Sequence, residues 1–290
     1  WVSISYQGKA LLEPVRSETS AGPVVVSCLG DSITGRGVYL GNEYPTILRQ
    51  LLRCRAPPSE LDGWIVNNYG VDGTTAICDT GNGAHNAYVR TQRFRYAIKS
   101  KADVYVVCFG TNDAAREVWD EEAYVRGLRR IVGALRGLGP CVVLLLTPPP
   151  MFSRSGWAFM RIASVLNKDL PKRILPELAP ELGVHLVNVF DELTSKLMSH
   201  DGLHPDVEGN EKLAEVVCNA LLRVASSKVL LENRRARAGP PLAPAPCIGP
   251  PELDPEPEAD PEREGAPWRQ RGGAPSEDPE GEDEPGPLQD

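Results

Sequence analysis

Residues 24–34 read VVVSCLGDSIT, an apolar run of strand length that ends in a glycine, an aspartate and a serine. The β-branched run predicts a buried β-strand, and the polar residues behind it predict a tight turn into a helix. Apolar runs that end in glycine and polar residues recur further along the chain. Residues 24–34 therefore provide the pattern from which the rest of the fold is predicted.

Strand-like and helix-like segments alternate along the chain. Strand candidates lie at residues 24–29, 64–67, 103–109, 141–146 and 184–189. Apolar residues at helical spacing occupy residues 44–53, 121–138, 160–170 and 206–224, and the third of these helices is predicted to break near Pro171. This alternation, with strands that are apolar throughout, predicts an α/β fold with a five-stranded parallel sheet covered by helices on both faces.

The composition divides the 290-residue chain into unequal parts. Residues 239–290 hold 14 of the 27 prolines and a net charge of −11, which leaves about +3 for residues 1–238 out of the total of −8. A segment so rich in proline and acid buries too little apolar surface to offset its ordering entropy. We expect residues 1–22 to be an N-terminal extension, residues 23–232 the folded domain, and residues 233–290 a disordered acidic tail whose partners the sequence does not indicate.

Several classes of protein are disfavoured by what the sequence lacks. The basic residues are scattered, so nucleic-acid binding is not predicted, and no apolar run is long enough to span a membrane. The seven cysteines are odd in number and form no C-x-x-C pair, so a disulfide framework, a metal site and a redox site are not expected. No signal peptide is recognised, but this absence is uninformative because the chain begins at Trp1 and not at Met. Reduced thiols favour an intracellular location.

Four short motifs follow the predicted strands or precede the last helix. They are GDSIT at residues 30–34, NYGVDG at residues 68–73, GTND at residues 110–113 and DGLHP at residues 201–205. Because the carboxyl ends of parallel strands meet at one edge of a sheet, the first three motifs are expected to lie together there. An aspartate and a histidine three residues apart in the fourth can meet on one turn, where the carboxylate would orient the imidazole.

The four motifs, in this order, resemble the four sequence blocks of the SGNH (GDSL) hydrolase family, over roughly residues 24–225. The resemblance implies a flavodoxin-like three-layer α/β/α fold and a serine esterase that needs no metal and no organic cofactor. It implies that Ser32 is the nucleophile, with His204 as general base and acid and Asp201 as the residue that orients it.

The resemblance also implies an oxyanion hole and a narrower branch of the family. The hole would consist of the backbone N–H groups of Ser32 and Gly73 with the side chain of Asn112. Trp119, nine residues after the glycine of GTND, and the TPPP at residues 147–150 are similar to the sialate and carbohydrate O-acetylesterase branch. In that branch the substrate is a small-molecule or carbohydrate ester, and Asp31 and Trp119 would contribute to binding it.

Alternatives share part of this sequence pattern. One is a lysophospholipase- or lipase-type esterase of the same family, and another is an inactive relative that binds a glycan or lipid. A nucleotide-binding flavodoxin-like module is disfavoured because no phosphate-binding glycine motif follows a strand. His85, His185 and His200 are the other histidines that compete with His204 for the role of base.

Overall fold

The structure is a computed structural model that describes residues 2–6, 9–13, 23–35, 41–55, 63–152, 161–225, 230 and 232. For residues 2–6 and 9–13 it describes the backbone only. These two segments form an antiparallel pair of strands, β1 and β2, in which Val2 pairs with Glu13 and Tyr6 with Lys9. The predicted acidic tail at residues 233–290 lies outside the described residues.

Five further strands form a single parallel sheet in the order β4-β3-β5-β6-β7. They are β3 (Val24–Gly30), β4 (Trp64–Asn68), β5 (Val104–Cys108), β6 (Val142–Leu146) and β7 (His185–Val187). Every residue of β5 and β6 is buried, as expected of central strands covered on both faces. The predicted five-stranded parallel sheet is confirmed.

In addition to four short 3-10 helices, seven α- or π-helices lie in the described part of the chain. They are α1 (Ser32–Gly35), α2 (Tyr44–Arg55), α3 (Gln92–Lys99), α4 (Glu121–Arg136), α5 (Val165–Ile174), α6 (Leu175–Leu182) and α7 (Val207–Val224). Buried residues of α2 and α7 pack on one face of the sheet with Cys28, Val106 and Leu144. Those of α3 to α6 pack on the other face with Leu29, Val107 and Leu145. Because successive strand residues point to opposite faces, two cores form and the domain has the three layers predicted.

The prediction of a helix break near Pro171 is wrong. Pro171 lies inside α5, which is a π-helix, and α6 follows it directly. A π-helix is wider than an α-helix, with bonds from residue i to i+5, so the proline ring avoids the carbonyl that it would meet in an α-helix. Buried Leu170 and Ile174 on either side of Pro171 hold the segment on the core. Residue 160, the first of the predicted helix, lies outside the described residues.

Helix α3 is not predicted from the sequence. It begins at an arginine-rich stretch, where only Phe94 and Ala97 are buried. The side chain of Thr91 accepts a hydrogen bond from the backbone N–H of Phe94 and so caps the helix. An apolar stripe this short is too weak a signal to separate a two-turn helix from a loop.

Candidate active site

Three of the four motifs meet at the carboxyl edge of the sheet, because β3, β4 and β5 are neighbouring parallel strands. The chain leaves β3 at Gly30 and enters α1 at Ser32. The loop after β4 carries Gly73, and the turn after β5 carries Asn112. Each of these three motifs therefore reaches the site from the end of a strand of the sheet, which fixes its position.

The fourth motif reaches Ser32 from the turn before α7. The Oγ of Ser32 lies 2.9 Å from Nε2 of His204, and Nδ1 of His204 lies 2.6 Å from Oδ2 of Asp201. Both distances are those of hydrogen bonds, so the three side chains form one continuous series. Ser32 and His204 are 172 residues apart in the chain, so this pairing exists only in the folded domain.

Asp201 is held by more hydrogen bonds than its link to the histidine. Its Oδ1 accepts from the hydroxyl of Ser199 at 2.6 Å and from the backbone N–H groups of Leu203 and His204 at 2.8 and 2.9 Å. Burial alone raises the pKa of Asp201, but these donors together with the His204 ring outweigh it and hold the pKa well below its usual range. Asp201 is therefore an anion at neutral pH, which fixes the Nδ1-protonated tautomer of His204 and leaves Nε2 free to accept from Ser32.

The turn that carries Asp201 and His204 is closed by its own hydrogen bonds. The backbone N–H of Ser199 donates to the carbonyl of His204 at 2.8 Å, and Asp206 caps α7 by accepting from the N–H of Gly209. Asn210 donates to the carbonyl of Pro205 and accepts from the N–H of Tyr44 in α2. The turn is thus anchored to both helices that cover this face of the sheet.

The loop after β4 is fixed against α1. Asn68 donates from its side chain to the carbonyl of Gly35 and accepts from the N–H of Gly70, both at 2.9 Å. A side chain at Gly70 would collide with the backbone of Gly35, so only glycine permits this approach. Gly73 then has a positive φ of 75°, a conformation that favours glycine.

Two backbone N–H groups of these motifs, those of Ser32 and Gly73, are left without an acceptor among the described residues. Asn112 donates from Nδ2 to the carbonyl of Thr74 at 3.0 Å, which holds its side chain beside the Gly73 loop. An amide nitrogen carries two hydrogens, so one N–H of Asn112 remains for a ligand.

Asp31, the residue before Ser32, is wholly buried. Its Oδ1 accepts from the N–H of Ile33 at 2.9 Å, while its Oδ2 has no hydrogen-bond donor among the described residues. Burial raises the pKa of Asp31 to about 7, and the nearby Asp113 carboxylate adds to this. The predicted substrate contact of Asp31 stays a prediction, and its lack of exposed surface argues against it.

Trp119 lies partly buried beside α4. Its ring centroid is 5.7 Å from that of Tyr124, and it packs against the core. Its predicted contact with substrate likewise stays a prediction. His85, His185 and His200 are exposed, and the hydrogen bond of Ser32 is made by His204.

Two further side chains contact the site and were not predicted from the sequence. Ser199 donates to Asp201, and Arg161 donates from Nη2 to the Oδ1 of Asn112 at 2.7 Å. A serine two residues before the DGLHP motif is a local signal that sequence inspection can use. Arg161 lies 49 residues from Asn112 and outside all four motifs, so nothing local indicates it.

No group of three or more His, Cys, Asp or Glu side chains in the described ranges is arranged to hold a metal ion. None of the helices described there is both long and apolar enough to cross a bilayer.

Fold and site together define the class of protein: a three-layer α/β/α hydrolase with a serine, a histidine and an aspartate at the carboxyl edge of its sheet. The chain belongs to the GDSL-like lipase/acylhydrolase family, whose model matches residues 28–212. The resemblance to this family that the four motifs indicated is thereby confirmed.

Individual relatives share only a low sequence identity with this chain. The chain is 28% identical over 224 residues to an acetylxylan esterase of Xylanibacter ruminicola, in a match that covers 68% of this chain and 42% of that protein. The chain thus spans less than half the length of this curated relative.

Solved structures show the same fold. Est24, a carbohydrate acetylesterase from Sinorhizobium meliloti, is 18% identical with a TM-score of 0.56, over 69% of this chain and 99% of that one. An aryl esterase of M. smegmatis is 16% identical with a TM-score of 0.53, also over 69% and 99%.

Proposed function

We propose that the chain is a serine esterase that hydrolyses short-chain acyl esters, with an O-acetylated carbohydrate as the substrate class. The observation that carries the proposal is the continuous hydrogen-bonded series from Ser32 through His204 to Asp201. A domain that only binds a glycan or lipid has no use for a nucleophile aligned with a base.

The reaction proceeds in two acyl-transfer steps. In the first, Nε2 of His204 takes the proton of Ser32 as Oγ attacks the ester carbonyl, and the tetrahedral intermediate collapses when His204 protonates the leaving alcohol. In the second, His204 takes a proton from water, the hydroxide attacks the acyl-serine, and the carboxylic acid leaves as Ser32 recovers its proton. Asp201 stays ionised and stabilises the imidazolium in both steps.

Three N–H groups would stabilise the negative oxygen of each intermediate. They are the backbone N–H groups of Ser32 and Gly73 and the remaining Nδ2–H of Asn112. Donors fixed before the reaction cost no reorganisation, and losing one lowers kcat by about 10²–10³. The hydrogen bonds that hold the Gly73 loop and Asn112 supply this preorganisation.

The substrate class draws support from the relatives. The acetylxylan esterase of X. ruminicola is 28% identical to this chain over 224 residues, and its name supports an acetyl ester as substrate. A lipase-type preference for long acyl chains and an inactive binding role are the competing outcomes, and both are separated by one set of assays.

The test compares hydrolysis of p-nitrophenyl acetate, p-nitrophenyl octanoate and acetylated xylo-oligosaccharides by wild type and Ser32→Ala. We expect wild type to prefer the acetyl esters and Ser32→Ala to fall to background. Ser195→Ala is the matched control, because Ser195 is exposed and outside the site. Faster turnover of the octanoate would reassign the chain to the lipase type. If folded wild type hydrolysed none of the three substrates and a fluorophosphonate did not label Ser32, the chain would be reassigned as an inactive relative that binds a glycan or lipid.

A paired substitution tests the base. His204→Ala is expected to abolish turnover, while His200→Ala retains it, because His200 is exposed and Nε2 of His204 contacts Ser32. Loss of turnover in His200→Ala alone would overturn the assignment of His204.

A further inference from the structure

Arg161 contacts the turn that carries Asn112 through both its side chain and its backbone. Its Nη2 donates to Oδ1 of Asn112 at 2.7 Å, and its Nε donates to the carbonyl of Thr111 at 3.2 Å. Its backbone forms an antiparallel bridge with Ala115, next to a hydrogen bond of 2.8 Å from the N–H of Ile162 to the carbonyl of Ala114. The planar guanidinium group thus contacts two successive residues of the GTND motif, Thr111 and Asn112.

These contacts leave only one orientation for the amide of Asn112. Oδ1 faces the positively charged donor of Arg161, and Nδ2 faces the carbonyl of Thr74. A flip of the amide would turn the NH₂ group towards a cation and an oxygen towards a carbonyl, which loses both hydrogen bonds. The second N–H of Asn112 is therefore fixed in direction as well as available.

Arg161 also brings positive charge to the site. Burial lowers the pKa of Arg161, while the carboxylates of Asp31 and Asp201 oppose this, and a guanidinium in this setting stays charged at neutral pH. A charge-assisted hydrogen bond to an amide oxygen draws electron density from the amide, which makes its N–H a stronger donor.

We propose that Arg161 is a positioning residue that orients and polarises the carboxamide of Asn112, so that its free N–H stabilises the oxyanion more strongly. The inference rests on the proposed function, since an oxyanion forms only if the chain transfers acyl groups. It assigns Arg161 an effect on the transition state and not on substrate binding.

A double-mutant cycle with p-nitrophenyl acetate tests it. We expect Arg161→Ala to lower kcat by about 10- to 10²-fold, less than the loss for a deleted donor, with KM changed less than twofold. In the Asn112→Ala background the same substitution should lower kcat less than threefold, because the group through which it acts is gone. Arg161→Lys should recover part of kcat by keeping a charged donor. Arg173→Ala, which breaks an exposed pair with Glu121, is the control and should keep kcat within twofold.

Equal losses in both backgrounds would overturn the proposal, since Arg161 would then act through Asp201 or through the fold. A rise in KM with kcat unchanged would make it a substrate ligand instead. The Asn112 side-chain amide resonances, identified by their loss in Asn112→Ala, provide a readout that needs no activity. They should shift upfield in folded Arg161→Ala and less so in Arg161→Lys, and unchanged resonances in Arg161→Ala would overturn the proposal. If wild type were inactive but the Asn112 resonances shifted as expected in Arg161→Ala, the esterase function would be refuted, while the hydrogen bond between Arg161 and Asn112 would be supported.

Discussion

Replacing Asp201 with asparagine changes the proton on His204 without changing the shape of the site. Oδ1 of Asp201 accepts from three donors, Ser199, Leu203 and the backbone of His204, at 2.6 to 2.9 Å. An asparagine must place its amide oxygen there, because an NH₂ group cannot face three donors. Its NH₂ then faces Nδ1 of His204, which has to accept where it formerly donated.

The consequence is that His204 adopts the other tautomer of its neutral imidazole. With Nδ1 accepting, the proton of the neutral ring moves to Nε2, which then donates to the Oγ of Ser32 and no longer takes its proton. The same substitution in serine-protease triads lowers kcat by about 10⁴, and the geometry here predicts a loss of that order. A factor of about 10⁴ corresponds to about 5.4 kcal/mol of activation free energy.

The assay is kcat for p-nitrophenyl acetate at pH 7.5, with Asp191→Asn as the matched control. Asp191 is exposed, and its carboxylate contacts Asn188 only through a surface hydrogen bond of 2.6 Å. We expect Asp191→Asn to retain wild-type kcat. If Asp201→Asn stayed folded and kept kcat within tenfold of wild type, the role of Asp201 in fixing the tautomer would be refuted.

The remaining predictions concern stability. The pKa of Asp31 rises to about 7 on burial from about 3.9 in an unfolded chain, so the wild type should lose urea stability relative to Asp31→Asn as pH rises from about 4 to about 7. Parallel pH curves for the two proteins would contradict this. Gly70→Ala should cost about 1–3 kcal/mol in urea unfolding and lower kcat, because its methyl group meets the backbone of Gly35. Gly133→Ala, on the open face of α4, should instead add about 0.4–1 kcal/mol; similar unfolding curves for the two alanine variants would refute the clash.

The pH prediction depends on the sign of the Asp31 shift. A carboxyl whose pKa is raised by folding binds its proton more tightly in the folded state, so its contribution to stability is fully present below about pH 4 and is lost as pH rises. Asp201 has the opposite sign. Its lowered pKa contributes stability above about pH 4 that is lost as the carboxylate is protonated at lower pH.

Much of the site follows from sequence because its residues stand at the ends of strands. Once residues 24–29 and 103–109 are recognised as parallel strands, Ser32 and Asn112 must share an edge of the sheet. The helix break predicted at Pro171 was wrong for a different reason, since a proline excludes an α-helical turn but not a π-helical one. The sequence carries no sign of that choice, which the burial of Leu170 and Ile174 favours.

The sequence by itself determined the five strands, the order of the four motifs and the spacing that lets Asp201 orient His204. These are local properties, because hydrophobic period and turn chemistry act over a few residues. Only the tertiary structure decided that Nε2 of His204 reaches Ser32, that Arg161 faces Asn112, and that Asp31 is buried. Those contacts join residues far apart in the chain, and they form because sheet order and the packing of both helical layers bring the strand ends and turns together.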